Sequence, residues 1–448
     1  MQSNPIQQRI ELICEKWEES KKHKDARIIR LQCQADETDM VDAFYTYMIA
    51  NDTPILDIGF HFESSCTDVK SFSRLLLEEL EETIDIWNTS EKPEGLDFVP
   101  IDWKPQFSLD DPKNPAALFV ANFNLLAKEL NLDSGLFTVA VFKGTGGISL
   151  ARWIKLASEA NICSSVKFLI HDTILHPHFD KIARELATSI HTVAINLNMP
   201  KAMEQVAAMG DPKDPGTAYR VVFMKMMNAM GAANEPEAEK YGLECIDIAN
   251  KNISRDPYWI MQMVVVYVAL GNDKIRYKKK SETLAYADKA VETATASKEF
   301  FSNDASSTLL AQALMFRGTV LFVHGKWSDA YSDFSIAFQV YREQKNFILA
   351  IEAGRMAGAS AFKEGNKTKG VQMLADGARV GKALDAQTGQ ASTFAGLLEL
   401  LLPANHEPFI SSEELNQICL NIYGEDAKRL IYNWKKVPES SLSPSQVN

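Results

Sequence analysis

GTVLFVHGKWSDAYSDFSIAF, residues 318–338, is the stretch whose reading decides the fold. Gly325 stands at its centre. Small residues lie seven positions before it (Gly318) and five and twelve positions after it (Ala330, Ala337), with bulky Phe334 nine positions after. Forty residues on, the spacing returns around Gly365, as Gly358, Gly370, Leu374 and Gly377. A period of this size, built from two apolar helical segments, marks a stacked array of helix pairs. Gly325 and Gly365 fall where one helix stops and the next begins, since glycine accepts positive φ without penalty. The small residues belong where two helices cross closely, and the bulky residue fills the gap between them.

This set resembles the tetratricopeptide repeat, most fully in 318–338, where Trp327 also follows the turn glycine. The second copy uses Gly370 and Gly377 where the family usually has alanine. That should weaken its second helix by about 1 kcal/mol per glycine. Two further pairs are expected upstream, at 218–231 with 236–252 and at 257–271 with 279–296. Gly231 and Gly271, forty residues apart, are read as their turn glycines. An insertion of about fourteen residues is then expected between Gly271 and Gly325.

The N-terminal half has a different rhythm. After an amphipathic helix at 6–24, apolar strands at 26–34, 53–62, 136–144, 166–172 and 191–197 alternate with helical segments at 38–50, 68–87, 114–130, 148–160 and 178–189. Alternation of this kind predicts a mostly parallel sheet with helices on both faces. The order of elements resembles the nucleotide-binding core of STAND and AAA+ signalling NTPases, which often precedes helical repeats. The motifs of that chemistry are missing. A phosphate loop, GxxxxGK[ST], should follow the first strand, but QADETDM (34–40) has no glycine and no lysine, and Asp36, Glu37 and Asp39 would repel a phosphate. The later apolar strand ends in Val141-Phe142-Lys143-Gly144 where an acidic pair should hold magnesium. The resemblance therefore implies a degenerate P-loop NTPase fold without NTP hydrolysis, and no cofactor is expected.

Three other features could carry chemistry. KGTGG (143–147) lies between a strand and a helix, so Lys143, Gly144, Gly146 and Gly147 form a weak anion site or simply a tight turn. HDTILHPHFD gathers His171, His176, His178 and Asp180, but Pro177 scatters them and no metal is expected. Asp172 ends an apolar strand and reads as a cap. No GxSxG elbow is present, and no cysteine lies beside a plausible histidine partner.

Composition bounds the rest. The 448 residues carry a net charge of −12 with 46% hydrophobic and 24% charged residues. That suits several domains of a soluble protein and makes general nucleic-acid or anionic-membrane binding a poor expectation. MQSNPIQQRIELICEKWEES shows no basic region followed by an apolar run, so no secretory signal is expected. Six scattered cysteines without a CxxC pair fit reduced thiols in a cytoplasm. The organisation expected is a helix at 1–25, an α/β domain at 26–209, about four tetratricopeptide-like repeats forming an all-α superhelical array at 216–400, capping helices at 401–437 and a disordered tail at 438–448. The break in Gly210, Asp211, Pro212, Pro215 and Gly216 marks the boundary.

The repeat resemblance implies a concave groove, lined by the first helices, that binds a peptide or a protein surface. Its family geometry places Lys225, Asn228, Tyr258, Met261, Gln312, Met315, Thr319, Glu352 and Arg355 on that inner face. The expectation is a non-catalytic adaptor, scaffold or chaperone-like protein. Its partner would be a secreted effector, a secretion-apparatus component or a signalling enzyme. The competing expectation is a nucleotide-regulated signalling switch using 143–147.

Overall fold

The computed structural model describes residues 4–50, 53–91, 99–144 and 146–434. The expected tail at 438–448 lies outside them. The chain divides into two compact units, Met1–Val206 and Ala207–Asn448. The division falls a few residues before the expected 209–216 break, inside a short helix.

In the first unit the order is α1 (Pro5–Ser20), β1 (Ile28–Cys33), α2 (Thr38–Met48), β2 (Ile58–Phe62), α3 (Val69–Thr89), α4 (Ala117–Leu130), β3 (Thr138–Phe142), α5 (Gly147–Ser158), β4 (Val166–Thr173), α6 (Asp180–Glu185), β5 (Ile190–Ala194) and α7 (Met199–Ala207). The five strands form one sheet in the order β2-β3-β4-β1-β5, and every pairing is parallel. Side chains alternate across a strand, so each strand feeds two cores. Phe60, Phe62, Ala140, Phe142, Phe168 and Ile170 face one side, where α3, α4, α5 and α6 cover them. Ile29, Leu31, Val139, Val141, Leu169 and Val193 face the other, under α1 and α2. Burial on both faces explains the near-continuous apolar runs of these strands.

The second unit begins with four helix pairs. These are α8 (Pro215–Gly231) with α9 (Glu235–Asn252), α10 (Trp259–Arg276) with α11 (Lys280–Ala296), α12 (Asn303–Val323) with α13 (Trp327–Glu343), and α14 (Phe347–Glu364) with α15 (Lys367–Val380). Then come α16 (Ala386–Ala391), α17 (Phe394–Leu401), α18 (Ser412–Tyr423) and α19 (Ala427–Trp434). The α/β unit followed by a helical array is the fold class that the sequence predicts. The cap starts earlier than 401, because Phe394, Leu397, Leu398 and Leu401 of α17 are buried against α14 and α15. Ser411 caps α18, its hydroxyl accepting from the Glu414 amide at 3.1 Å. By length and composition α12 is apolar enough to cross a membrane. Here Ala311, Ala313, Leu314 and Gly318 are buried within the array.

The register of the first two pairs differs from expectation. The left-handed turn residues within the four pairs are Ala233 (φ +54°), Lys278 (φ +59°), Gly325 (φ +77°) and Gly365 (φ +89°). Gly231 is the last residue of α8, and Gly271 lies inside α10. Gly271 is instead the counterpart of Gly318 and Gly358. A Cβ on it would come within 2.7 Å of the Phe316 ring, as one on Gly318 would within 2.8 Å of Phe334 and one on Gly358 within 2.5 Å of Leu374. Successive turns are therefore 45, 47 and 40 residues apart. The links at 253–258 and 297–302 are longer than the link at 344–346 and supply three residues of each excess, and α12, longer than α14, supplies most of the rest of the second. Gly370 and Gly377 also do more than weaken α15. A Cβ on Gly370 would sit 2.4 Å from the Phe362 ring, and one on Gly377 would sit 2.7 Å from Leu397.

Candidate functional site

Open parallel sheets bind ligands outside the carboxyl ends of their strands, where the chain leaves neighbouring strands in opposite directions. Here that point lies between β1, whose chain goes on to β2, and β4, whose chain goes on to β5. The protein's own side chains fill it. Glu37, buried in the short turn after β1, accepts from the amides of Gln34 at 2.8 Å, Leu197 at 2.5 Å and Asn198 at 3.2 Å. Backbone N–H groups that could hold an external anion are thus taken by an internal carboxylate. On the β4 side, buried Asp172 accepts from the His178 and Phe179 amides, both at 3.0 Å, and from Arg30 at 2.7 Å. Arg30 is itself buried and also reaches Asp180 at 2.6 Å. Asp172 therefore ties down the turn ahead of α6.

Residues 143–147 are arranged around close packing. Lys143 pairs with Glu63 at 2.6 Å. A Cβ on Gly144 would meet the Ser64 carbonyl oxygen at 1.9 Å, and one on Gly146 would meet Cys66 at 2.8 Å. Thr145 lies outside the described residues. Beside this turn runs an open groove of about 490 Å³ lined by Glu63, Ser64, Leu75, Glu78, Glu79 and Glu82. Four carboxylates repel an anion, and the one lysine is already paired.

The histidines do not gather. His171 and His61 each face the buried ring of Tyr45, with centroids at 6.0 and 6.2 Å, and burial lowers the pKa of both. His176 and His178 are exposed. A cation-ready arrangement exists elsewhere: carboxylate oxygens of Glu235, Glu239 and Glu282 lie within 4.8 Å of one another. The Lys274 ammonium sits among them, at 2.5, 2.8 and 3.0 Å. Burial alone would lower its pKa, but hydrogen bonds to the three glutamates outweigh burial and raise it.

On the inner face of the helix pairs, the corrected register moves some residues. Lys225 lies with its ammonium 5.8 Å from the Tyr241 ring of α9, toward its own pair partner. Met227 and Met230, two positions further along α8, take the places assigned to Lys225 and Asn228. On α10 the register shifts by seven residues, which preserves the helix face. Tyr258 and Met261 therefore share a stripe with Val265, Val268 and Ile275. Tyr258 is 65% exposed, Val265 47% and Ile275 44%. Gln312 is exposed, while Met315 packs partly into the core and Thr319 donates to the Met315 carbonyl at 2.8 Å. Glu352 and Arg355 form a two-pronged pair at 2.7 and 2.8 Å. The Arg355 chain lies 3.4 Å from where a Cβ on Gly396 would be, so α17 covers this end of the face. The alternating three- and four-residue spacing of Tyr258, Met261, Val265 and Val268 was the signal that could have exposed the stripe in advance.

No family model matches the chain, and no curated protein matches it. Among solved structures, a signal transduction ATPase with numerous domains (STAND) protein with a tetratricopeptide repeat sensor, from Pyrococcus horikoshii, aligns over 92% of this chain and 89% of its own. The identity is 7% and the TM-score 0.23, too low to bear on what this chain does.

Proposed function

We propose that the chain is a non-catalytic protein-binding scaffold whose working surface is the inner face of its helix pairs. One observation carries this reading. In the stripe along α10, Tyr258, Met261, Val265 and Ile275 are exposed while Val268 packs partly into the core, and no charged residue occurs from 259 to 272. Exposed apolar stripes of this length mark interaction sites, and the neighbouring Met227, Met230 and Met261 suit an adaptable contact. The partner we favour is a secreted effector, a secretion-apparatus component or a signalling enzyme, met in the cytoplasm. We further propose that the sheet unit does not hydrolyse nucleotides. The absence of glycine and lysine from 34–40 supports this, as does the Glu37 carboxylate among the amides a phosphate would use.

The test is partner capture with full-length protein and with Val265→Asp and Met261→Asp, each verified as folded by circular dichroism. Both substitutions should lose a partner that the wild type retains. Folded variants that keep every partner refute the inner-face reading. Calorimetry with ATP and GTP should show no saturable heat. Micromolar binding abolished by Lys143→Ala would replace the scaffold with the nucleotide-regulated switch.

A further inference from the structure

The inner face leaves one sequence feature unused, the basic run at 276–280. The turn within each helix pair falls on the same edge of a stacked array. In pairs two to four that edge carries Arg276, Lys278 and Lys280, then Lys326, then Lys363. The turns neighbour one another. His324 of the third pair has its pKa lowered by burial and then by Lys280 of the second and Lys326 of its own. Lys369 of the fourth pair lies 3.6 Å over the Tyr331 ring of the third. Lys279 is spent on Glu235 and Glu282, but Lys278, Lys280, Lys326 and Lys363 form no ion pair among the described residues. Asp329 and Glu364 are interspersed among them, and Glu282, two residues past Lys280, faces Lys274 and Lys279. Apolar side chains stand between the lysines: Ile275, Trp327 and Val323, the last 68% exposed. A basic, apolar-studded edge on a chain of net charge −12 is a local concentration against the overall sign.

We propose that this turn edge docks an acidic segment of another protein, its carboxylates meeting Lys278, Lys280, Lys326 and Lys363 and its apolar side chains resting on Ile275, Val323 and Trp327. Complementary charge steers such an encounter and sets its orientation, while the apolar contacts hold it once the ions are screened. The surface shares Ile275 with the inner face but none of its lysines, so the lysine substitutions test it separately from Val265→Asp and Met261→Asp.

The experiment measures fluorescence anisotropy of a labelled synthetic peptide rich in Glu and Leu, titrated with full-length protein at low and at physiological salt. Its partners are the same peptide with Gln for every Glu, a random-sequence DNA duplex, and vesicles of phosphatidylcholine with phosphatidylserine. The acidic peptide should bind, the Gln peptide far less. The triple variant Lys278→Glu, Lys280→Glu, Lys326→Glu should weaken binding by about tenfold or more. Its lysines are exposed, so its thermal midpoint should match the wild type, and Val265→Asp should leave peptide binding intact. The proposal is overturned if the acidic peptide does not bind wild type, if the triple variant binds it equally well, or if DNA or vesicles bind more tightly than the peptide.

Discussion

Replacing Lys274 with methionine should destabilise the helical unit by about 3 kcal/mol. The ammonium is 1% exposed and bridges glutamates from α9 and α11, tying the first pair to the second. Methionine keeps most of the volume, so the loss is electrostatic rather than a cavity. Removing one partner of a buried ion pair costs about 3–5 kcal/mol. The three carboxylates are 15%, 36% and 46% exposed, and Lys279 and the Tyr286 hydroxyl remain with Glu235 and Glu239. Water can therefore recover part of the penalty, which places the loss at the low end, about 3 kcal/mol. Urea unfolding followed by circular dichroism at neutral pH measures it. The pH dependence supplies a sign. Hydrogen bonds from Lys274, then from Lys279 or Tyr286, hold the Glu235 and Glu239 carboxyls below their usual value of 4.5. Their contribution is thus present above about pH 4.5 and is lost as pH falls through the depressed folded values. The gap between wild type and Lys274→Met should narrow in acid. It should narrow again in strong base, because the raised Lys274 contribution is full below 10.5 and lost as pH rises through its folded value. A loss below about 1 kcal/mol at neutral pH, or one independent of pH, would refute the reasoning.

Calcium should restore part of the stability of Lys274→Ala but none to wild type, since the vacated position lies among three carboxylates; thermal midpoints with and without the ion decide this. Gly370→Ala should destabilise by about 1–2 kcal/mol in urea unfolding, because overpacking against Phe362 exceeds the gain in helix propensity; a stabilised variant would contradict the packing. Glu37→Ala should cost about 2–4 kcal/mol and speed hydrogen exchange at the Leu197 and Asn198 amides, which lose their acceptor. The wholly buried Lys167, whose pKa burial and then Arg27 lower to about 8, binds its proton less tightly folded than unfolded. Stability should therefore rise with pH between about 8 and 10.5, and Lys167→Met should flatten that rise.

The alternation of strands and helices and the pairing of helices around Gly325 and Gly365 were legible in the residues alone, because burial imposes periods of 2 and 3.6 that a chain cannot hide. The turns of the first two pairs were not. Ala233 and Lys278 occupy the left-handed conformation that glycine takes at Gly325 and Gly365, so composition did not advertise them. The chance forty-residue interval between Gly231 and Gly271 pointed elsewhere, and with it Lys225 moved off the inner face. The role of Glu37 was hidden for a different reason. Its sequence context shows a charge that would repel phosphate, while only the fold brings the Leu197 and Asn198 amides to that charge from 160 residues away. Likewise the enclosure of the Lys274 ammonium by three glutamates arises only once α9 and α11 both pack on α10. Local pattern determined which segments are helix and strand. Tertiary structure decided which polar groups are buried together, because the energy of a buried charge depends on partners that sequence spacing does not specify.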